Sequence, residues 1–228
     1  MIFTYLEPDV FLDVVSCKRE RKNNIFFVFE NEKCAPSQSE LRKISKGDNV
    51  GFDLRANEYV NINFNTDVDI FKAKIIKSGC KWAGLPGTKL ELLPRSGISL
   101  ETPLRIANTP ATIEPTYRGD ISILLDYKLA YLLSKVIEFT NDTKISGKKY
   151  KSIGIFPNKV IIEEGTRLVQ ANIVLNVFAL KINKNIIKGD FNIYYTISKD
   201  IYDNWSEIYP SKRGEKGFGS SGLKDIKE

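Results

Sequence analysis

The chain has 228 residues, with 34 lysines and arginines against 28 acidic residues, a net charge of +6 and no histidine. The lack of histidine excludes His-based catalytic triads and His metal ligands, and it leaves carboxylates for base or metal chemistry. Three widely spaced cysteines form neither a disulfide framework nor a zinc-binding pattern. No apolar run reaches the roughly 20 residues of a membrane-spanning helix, and the acidic N-terminus does not resemble a signal peptide. We therefore expect an intracellular protein, cytoplasmic or nuclear.

Short runs of β-branched and aromatic residues, separated by Gly, Pro, Asn or Asp, recur along the chain. Several of them alternate apolar and polar residues, which is the period of a strand. The predicted strands are 24–30, 60–65, 70–77, 88–93, 120–127, 159–164, 171–182 and 191–197. Helix signals are few: 129–139 fits a helix or a long strand, and 200–209 is a weak helix candidate. The pattern predicts an all-β sandwich, barrel or jelly roll.

Two polar segments interrupt the strand pattern. The segment 139–152 is basic and contains Gly, and 34–49 has a similar character, so both are predicted to be exposed connectors. Neither resembles a linker between domains, and the sequence has no internal repeat. We therefore expect a single domain.

Five short stretches carry residues suited to chemistry. The first, GFDLRA (51–56), places an Asp in an apolar run, where a buried carboxylate without a partner would be costly. The second, LLPRSGISL (92–100), brings Arg, Ser and free backbone N–H groups together after a proline, which suits a phosphate. Taken alone, each fits an ordinary turn or strand end better than a functional site.

The other three stretches lie further along the chain. In ANTPATIEPTYRGDISILL (107–125), two acid-bearing turns flank a Tyr-Arg-Gly sequence. In EEGTRLVQANI (163–173), a glycine turn leads into a strand that carries Arg and Gln. The last, KRGEKGFGSSG (212–222), is compatible with a disordered tail or with a loop that cradles phosphate and carries one aromatic ring.

In this order, the five stretches resemble the five motifs of the trimeric deoxyuridine triphosphate nucleotidohydrolase (dUTPase) family. The family has an Asp-Leu motif, an Arg-Ser motif, an Ile-Asp…Tyr-Arg-Gly motif, an Arg-x-x-Gln motif and a C-terminal Arg-Gly…Gly-Phe-Gly-Ser motif. The corresponding segments, called motifs 1 to 5 below, are 51–56, 94–99, 111–121, 166–171 and 213–222. The first fifty residues carry no comparable signal.

The resemblance implies a jelly-roll-like β-barrel that forms a homotrimer with shared active sites and a mobile C-terminal arm. It implies Mg²⁺-dependent hydrolysis of dUTP to dUMP and pyrophosphate, which limits uracil incorporation into DNA and supplies dUMP for thymidylate synthesis. The chain 1–228 would be one such domain with an extended N-terminal region, insertions near 128–160 and 178–210, and an arm over 211–228. The expected partners are dUTP and further copies of this chain, with no membrane and no specific nucleic acid.

The resemblance also assigns roles to individual residues. Glu114 matches the base that activates the attacking water, Asp53 would organise Mg²⁺ through water, and Arg95 would stabilise charge on the phosphates. Tyr117 would pack under the deoxyribose and exclude a 2′-hydroxyl, while the hairpin 111–117 would read uracil and exclude a thymine methyl group. The other predicted substrate-binding residues are Ser96, Gly97, Asn108, Ile113, Arg118, Gln170, Arg213, Phe218, Gly219, Ser220 and Ser221, with Phe218 stacked on uracil.

Three positions depart from the family pattern. Glu114 stands where the family has Asp, and the extra methylene moves the carboxylate by ~1 Å or more, a displacement that can cost ~10²-fold in rate. Ala111 replaces a common Gly. Gly97 replaces a common second Ser, a change expected to be mild because the backbone N–H donors remain.

Three other functions stay open. Glu114 and the insertions also suit a family member that binds nucleotide with weak or no catalysis and acts as a regulatory or interaction protein. A dCTP deaminase would carry a catalytic Glu in the strand after the third motif, where this chain has Leu124. The basic charge alone suits a nucleic-acid-binding β protein, although no dense basic run accompanies a reader motif.

Overall fold

The computed structural model describes residues 3–49, 51–63, 73–127, 159–175 and 191–217. The strands are β1 (Phe3–Tyr5), β2 (Ile25–Phe29), β3 (Phe52–Arg55), β4 (Val60–Asn63), β5 (Lys74–Lys77), β6 (Cys80–Ala83), β7 (Thr88–Pro94), β8 (Leu104–Ile106), β9 (Ala111–Ile113), β10 (Ser122–Tyr127), β11 (Lys159–Ile162), β12 (Arg167–Leu175) and β13 (Ile193–Ile197). The helices are α1 (Pro8–Ser16), α2 (Lys18–Asn23), α3 (Gln38–Lys46), α4 (Ser96–Glu101), α5 (Lys199–Asp203) and α6 (Trp205–Ile208). Each of the eight predicted strand segments contains all or part of an observed strand, so the prediction of a strand-rich fold is confirmed.

The central sheet has the strand order β3-β12-β7-β9, and every neighbouring pair is antiparallel. Strand β12 lies between β3 and β7, and its residues alternate between the core and the opposite face. This sheet carries the residues of motifs 1, 2 and 4 at one end of β12. Two smaller sheets, β5-β10-β8 and β11-β4, complete the strands that surround the main core.

A second four-stranded sheet has the order β1-β13-β2-β6. It contains two parallel pairs, β1 with β13 and β13 with β2, and one antiparallel pair, β2 with β6. All five residues of β2 are buried. The pattern fits a strand that is covered on both faces, because successive side chains of a strand point in opposite directions.

The two faces of β2 contact two separate hydrophobic cores. Ile25, Phe27 and Phe29 belong to the main core, whereas Phe26 and Val28 belong to a smaller one. The smaller core also contains α1 side chains and residues from α5 and α6. The N-terminal region and the chain after position 191 therefore form one layer that covers the outer face of the second sheet.

The largest correction to the sequence predictions concerns helices. The expectation of an all-β chain overlooked α1, α2, α3 and α4, and only the weak candidate at 200–209 is confirmed, as α5 and α6. The stretch after Pro94 was predicted as a strand-to-loop turn, and it instead begins the short helix α4. The candidate at 129–139 and the insertion near 128–160 lie outside the described residues, except for the part that forms β11.

The segment 34–49, predicted to be an exposed connector, contains helix α3. The Ser37 hydroxyl accepts a hydrogen bond from the backbone N–H of Glu40 at 3.3 Å, and Gly47 ends the helix with a left-handed φ of 80°. Leu41 and Ile44 are buried against the main core. The helix is stable here because it has a cap at each end and one apolar face to bury.

The described part of the insertion near 178–210 is an integral part of the fold. Strand β13 is central in the second sheet, and Trp205 of α6 is fully buried in the smaller core. Among the helices that the structure describes, none is long and apolar enough to cross a membrane.

Candidate functional site

The pairing of β12 with both of its neighbours brings motifs 1, 2 and 4 together. Gln170 of β12 lies opposite Asp53 of β3 on one side and opposite Leu93 of β7 on the other. Arg95 follows directly after β7. The register alone therefore gathers three of the predicted site residues at one end of the central sheet.

Asp53 is the centre of this group. Its Oδ2 atom lies 2.7 Å from Nη1 of Arg95 and 3.7 Å from Nη1 of Arg167. Burial raises the pKa of the Asp53 carboxyl group, as does the negative charge of Glu40, while the arginines at 95, 167 and 55 oppose the rise. A partly buried carboxylate in this position can accept a hydrogen bond from a metal-bound water.

Glu40 of α3 belongs to the same group, and the sequence predictions missed it. One of its carboxylate oxygens accepts the backbone N–H of Asp53, and Oε2 accepts from Nη2 of Arg55 at 2.7 Å. Arg55 in turn donates to the backbone oxygen of Asp53 at 3.0 Å. Both side chains of the Glu40–Arg55 pair are about 90% buried. The pair fixes α3 to the strand that carries Asp53.

These residues surround a cavity of about 500 Å³, called the central pocket below. Its lining is polar and consists of Ser37, Ser39, Glu40, Lys43, Asn49, Asp53, Pro94, Arg95, Ser96, Arg167 and Gln170. Gln170 donates to Oδ1 of Asn49 at 3.0 Å. The predicted residues Asp53, Arg95, Ser96 and Gln170 therefore share one cavity.

Gly97 lies in α4, next to this lining. A Cβ atom built there meets nothing within 4 Å, and its φ is not in the left-handed region. Nothing in the local packing therefore requires glycine at this position, and the mild effect of its exchange with Ser on phosphate binding stays a prediction.

Glu114 and Tyr117 form a second group with the start of motif 5. The Glu114 carboxylate pairs with Nη1 of Arg213, and both side chains are partly exposed. Tyr117 forms an isolated β-bridge with Gly214, and the backbone N–H of Arg118 donates to the oxygen of Gly214 at 2.9 Å. The chain at 211–217 therefore lies on motif 3 of the same chain.

Arg118 is buried and bound to backbone oxygens. Its guanidinium donates to the carbonyl groups of Trp82, Pro115, Tyr117 and Tyr209 at 2.7–3.3 Å. Burial lowers the pKa of Arg118 to about 10. This environment favours a structural role, in which Arg118 holds the motif 3 turn, over the predicted contact with substrate.

The two groups lie far apart within one chain. Ile113 pairs with Leu90 near the start of β7, whereas Arg95 follows the end of that strand. Glu114 is one residue beyond Ile113, so about six residues of β7 separate its level from Arg95, which is about 20 Å at 3.3–3.4 Å per residue. The structure therefore does not bring Glu114 to Asp53 and Arg95 in a single chain.

The remaining predicted residues are placed as follows. Asn108 is exposed in the turn before β9, and Ile113 is half-buried and packs against the main core. Phe218, Gly219, Ser220 and Ser221 lie outside the described residues.

Comparisons with known proteins find sequences that carry the name of the family whose motifs this chain resembles. No protein-family model matches the chain. It is 32% identical over 85 residues to the deoxyuridine 5'-triphosphate nucleotidohydrolase of Crocosphaera subtropica, covering 37% of this chain and 56% of that protein. It is 24% identical over 177 residues to the enzyme of the same name from Helicobacter hepaticus, covering 76% of each. This chain is similar in sequence to the dUTPases.

The similarity to the first of these relatives covers part of both proteins. The chain spans little more than half the length of the first of these relatives. A dUTPase from phage phi11 of S. aureus, whose solved structure contains a structural Mg(II) ion, superposes with a TM-score of 0.45 at 20% identity, covering 67% of this chain and 91% of that one.

Asp120, a partly buried carboxylate within motif 3, holds this motif in place through hydrogen bonds. Asp120 accepts from the Tyr202 hydroxyl of α5 at 2.6 Å and from the backbone N–H of Ser78 at 3.1 Å, and its own backbone oxygen accepts from the Tyr117 hydroxyl at 3.0 Å. Burial raises the pKa of Asp120, and these hydrogen bonds to the carboxylate lower it in part. Tyr202 therefore stabilises the ionised form of a residue that holds Tyr117.

This arrangement predicts a pH-dependent effect of Tyr202→Phe. Because the folded-state pKa of Asp120 is raised, its ionisation costs stability, and the cost appears as the pH rises above 3.8, the ordinary pKa of an aspartate. Removing the hydroxyl raises that pKa further, so Tyr202→Phe should destabilise the fold by about 1–3 kcal/mol near neutral pH and by less near pH ~4. Urea denaturation at both pH values measures the difference.

Tyr59→Phe is the control, because Tyr59 is 59% exposed and its hydroxyl should contribute less than about 0.5 kcal/mol at either pH. A loss for Tyr202→Phe that is equal at both pH values would contradict the role given to Asp120.

Proposed function

We propose that this chain is a dUTP diphosphatase, which hydrolyses dUTP to dUMP and pyrophosphate as a homotrimer. The observation that carries the proposal is the central pocket, in which one strand register brings Asp53, Arg95, Ser96 and Gln170 of three motifs to the same cavity. The sequence similarity to named dUTPases supports the same substrate. A jelly-roll-like barrel, a C-terminal arm over the nucleotide and an intracellular location belong to this proposal.

The central pocket suits the polyphosphate of the substrate. Arg95 and Arg167 present guanidinium groups, Ser96 presents a hydroxyl, and Gln170 presents its amide group. Such donors stabilise negative charge that develops on the α-phosphate and on the leaving pyrophosphate. Arg95 is held by Asp53 at 2.7 Å, so its orientation is set before the substrate arrives.

The residues fit a magnesium ion that is bound mainly by the substrate. Among the described residues no group of three or more acidic or thiol side chains could cage a metal, and Asp53 is the carboxylate that faces the pocket beside the phosphate donors. Mg²⁺ keeps several waters and takes one or two carboxylates together with phosphate oxygens. When bound, the ion would supply charge neutralisation at the phosphates, with Asp53 contacting it through water.

Glu114 would act as the general base for the attacking water. Its carboxylate accepts the proton of a water whose oxygen bonds to the α-phosphorus, while the bond to the bridging oxygen breaks and pyrophosphate leaves. The partner of Glu114 in this structure, Arg213, is matched to phosphate binding in motif 5. A partly exposed ion pair contributes little stability. Arg213 can therefore leave Glu114 and bind the phosphates at a small cost in free energy.

The separation of the two groups supports a site that is shared between chains. Within one chain, Glu114 and Arg95 lie about 20 Å apart along β7, which is too far for both to act on one phosphorus atom. In a symmetric trimer, the Glu114 group of one protomer can face the central pocket of the next. Catalysis would then require the assembled trimer.

The first test is a direct assay of the purified chain with dUTP and Mg²⁺. Pyrophosphate release from dUTP is expected, with much slower release from dTTP and UTP because of the predicted exclusion of the methyl and 2′-hydroxyl groups. Ammonia release from dCTP is expected to be absent, since Leu124 stands at the deaminase position. Binding of dUTP without turnover would instead support the non-catalytic nucleotide-binding alternative.

Substitutions at Glu114 test its role as base. Glu114→Gln keeps the size of the side chain but cannot accept the proton, so kcat should fall by about 10²-fold or more. Glu114→Asp restores the family residue and should leave kcat unchanged or raise it. Full activity of the Gln variant, with dUTP turnover followed under saturating substrate, would remove Glu114 from the mechanism.

A mixing experiment tests whether the site is shared. Asp53→Asn and Glu114→Gln proteins, each inactive alone, are unfolded together in equal amounts and refolded. If one protomer supplies Asp53 and another supplies Glu114, about a quarter of the sites contain both native residues, and activity returns to about that fraction of the native rate. No recovery, from a mixture that size-exclusion chromatography shows to have reassembled, would place both residues in one chain's site.

A further inference from the structure

Helix α3 forms a wall of the central pocket, although it lies outside the five motifs. Four of the pocket-lining residues come from this helix or its cap: Ser37, Ser39, Glu40 and Lys43. Glu40 and Lys43 are three residues apart and so lie on the same side of the helix. That side faces the pocket, while Leu41 and Ile44 are buried against the main core.

The orientation of α3 is fixed at three points. The Glu40 carboxylate binds Arg55 and the backbone of Asp53. Gly47 ends the helix, and Asn49, just beyond it, accepts the hydrogen bond from Gln170 at 3.0 Å. These contacts join the helix to β3 and to β12, the two strands that carry motifs 1 and 4. The backbone of α3 is therefore held in place at the pocket.

The lining of the central pocket, which includes Lys43, carries more positive than negative charge. The lining contains Lys43, Arg95 and Arg167 against the carboxylates of Glu40 and Asp53. Arg55 neutralises Glu40 at 2.7 Å, so Asp53 alone faces the three lining cations. Among the described residues Lys43 has no ion-pair partner, and its side chain is exposed at the pocket. Such an excess of positive charge attracts an anion to the pocket.

We infer that Lys43 of α3 is a further phosphate-binding residue of this chain, and that the Glu40–Arg55 pair positions it. The ligand class is a linear polyphosphate, and the inference rests on the proposed function only in taking the triphosphate of dUTP as that ligand. Lys43 adds a flexible point charge to the two arginines, and the hydroxyl groups of Ser37 and Ser39 lie on the same wall. Because phosphate charge is present both before and during hydrolysis, Lys43 contributes to binding and not to the chemical step.

The test compares Lys43→Ala with Lys46→Ala in the full chain. Lys46 lies on the same helix and is exposed, but it does not line the pocket, so it is the matched control for the loss of one lysine. The affinity for inorganic tripolyphosphate, measured by calorimetry, should fall about fivefold or more for Lys43→Ala and stay within twofold or so for Lys46→Ala. Lys43→Arg should retain most of the affinity because it keeps the charge.

The kinetics with dUTP provide the second measurement. Lys43→Ala should raise KM by a similar factor and leave kcat unchanged, the pattern of an interaction made equally in the ground and transition states. Added NaCl should weaken tripolyphosphate binding less steeply in Lys43→Ala than in the native chain, since one charge–charge contact is missing.

The outcomes separate this inference from the proposed function. Equal tripolyphosphate affinities for Lys43→Ala and Lys46→Ala, or no binding by the native chain, would overturn the inference even if dUTP is hydrolysed. A fall in kcat at unchanged KM would overturn it as well, because Lys43 would then act in the chemical step. The native chain could also bind tripolyphosphate in a Lys43-dependent way and release no pyrophosphate from dUTP. That result would support the inference and contradict the proposed function.

Discussion

The pairing of β12 with both β3 and β7 is the constraint on which the central pocket depends. Each side chain of a strand is placed by its register, and a shift of one residue would turn it to the opposite face. With the observed register, Gln170 lies between Asp53 and Leu93, so Arg95 can reach Asp53. No loop rearrangement is needed to assemble these residues, because the backbone hydrogen bonds of the sheet already place them.

The second sheet and its helices serve the other group, around Glu114 and Tyr117. Arg118 is buried and Asp120 partly buried within motif 3, and each is bound by a group of the C-terminal layer: the carbonyl of Tyr209 and the hydroxyl of Tyr202. A buried charge without such partners would cost several kcal/mol. The motif resemblance identifies the residues of this layer as an N-terminal extension and an insertion. The layer therefore holds the motif 3 turn, which carries Glu114, the proposed base. The start of motif 5 follows directly after this layer in the chain. The layer therefore places Gly214 beside Tyr117 of motif 3.

Local sequence patterns predicted eight strand segments, because strand period is a property of neighbouring positions. The motif resemblance predicted four of the residues that line the pocket: Asp53, Arg95, Ser96 and Gln170. Helix α3 could also have been predicted from the sequence. Ser37 and Glu40 have the spacing of an N-terminal capping box, and glycine, here Gly47, commonly ends a helix. Other features were not within reach, because they depend on contacts between distant residues. The parallel pairing of β13 with β1 and β2 joins positions more than 160 residues apart, and the structural role of Arg118 depends on an oxygen 91 residues away. The matching Tyr-Arg-Gly motif gave no sign that its Arg would be enclosed.

The buried Glu40–Arg55 pair shows why the extension before motif 1 matters to the site. Moving two charges out of water costs several kcal/mol for each ion, and a well-packed apolar pair is often as stable, so fold stability alone does not account for the pair. An apolar pair, however, would not fix the orientation of α3 relative to β3, because apolar contacts are not directional. One Glu40 oxygen accepts the N–H of Asp53 and the other accepts from Arg55, whose guanidinium also binds the Asp53 carbonyl. These bonds define one position of α3 relative to the Asp53 backbone, and with it the side of the pocket from which Lys43 projects. The same negative charge raises the pKa of Asp53, and the surrounding arginines offset that rise. The ion pair thus couples the position of the helix to the electrostatics of the carboxylate at the centre of the pocket.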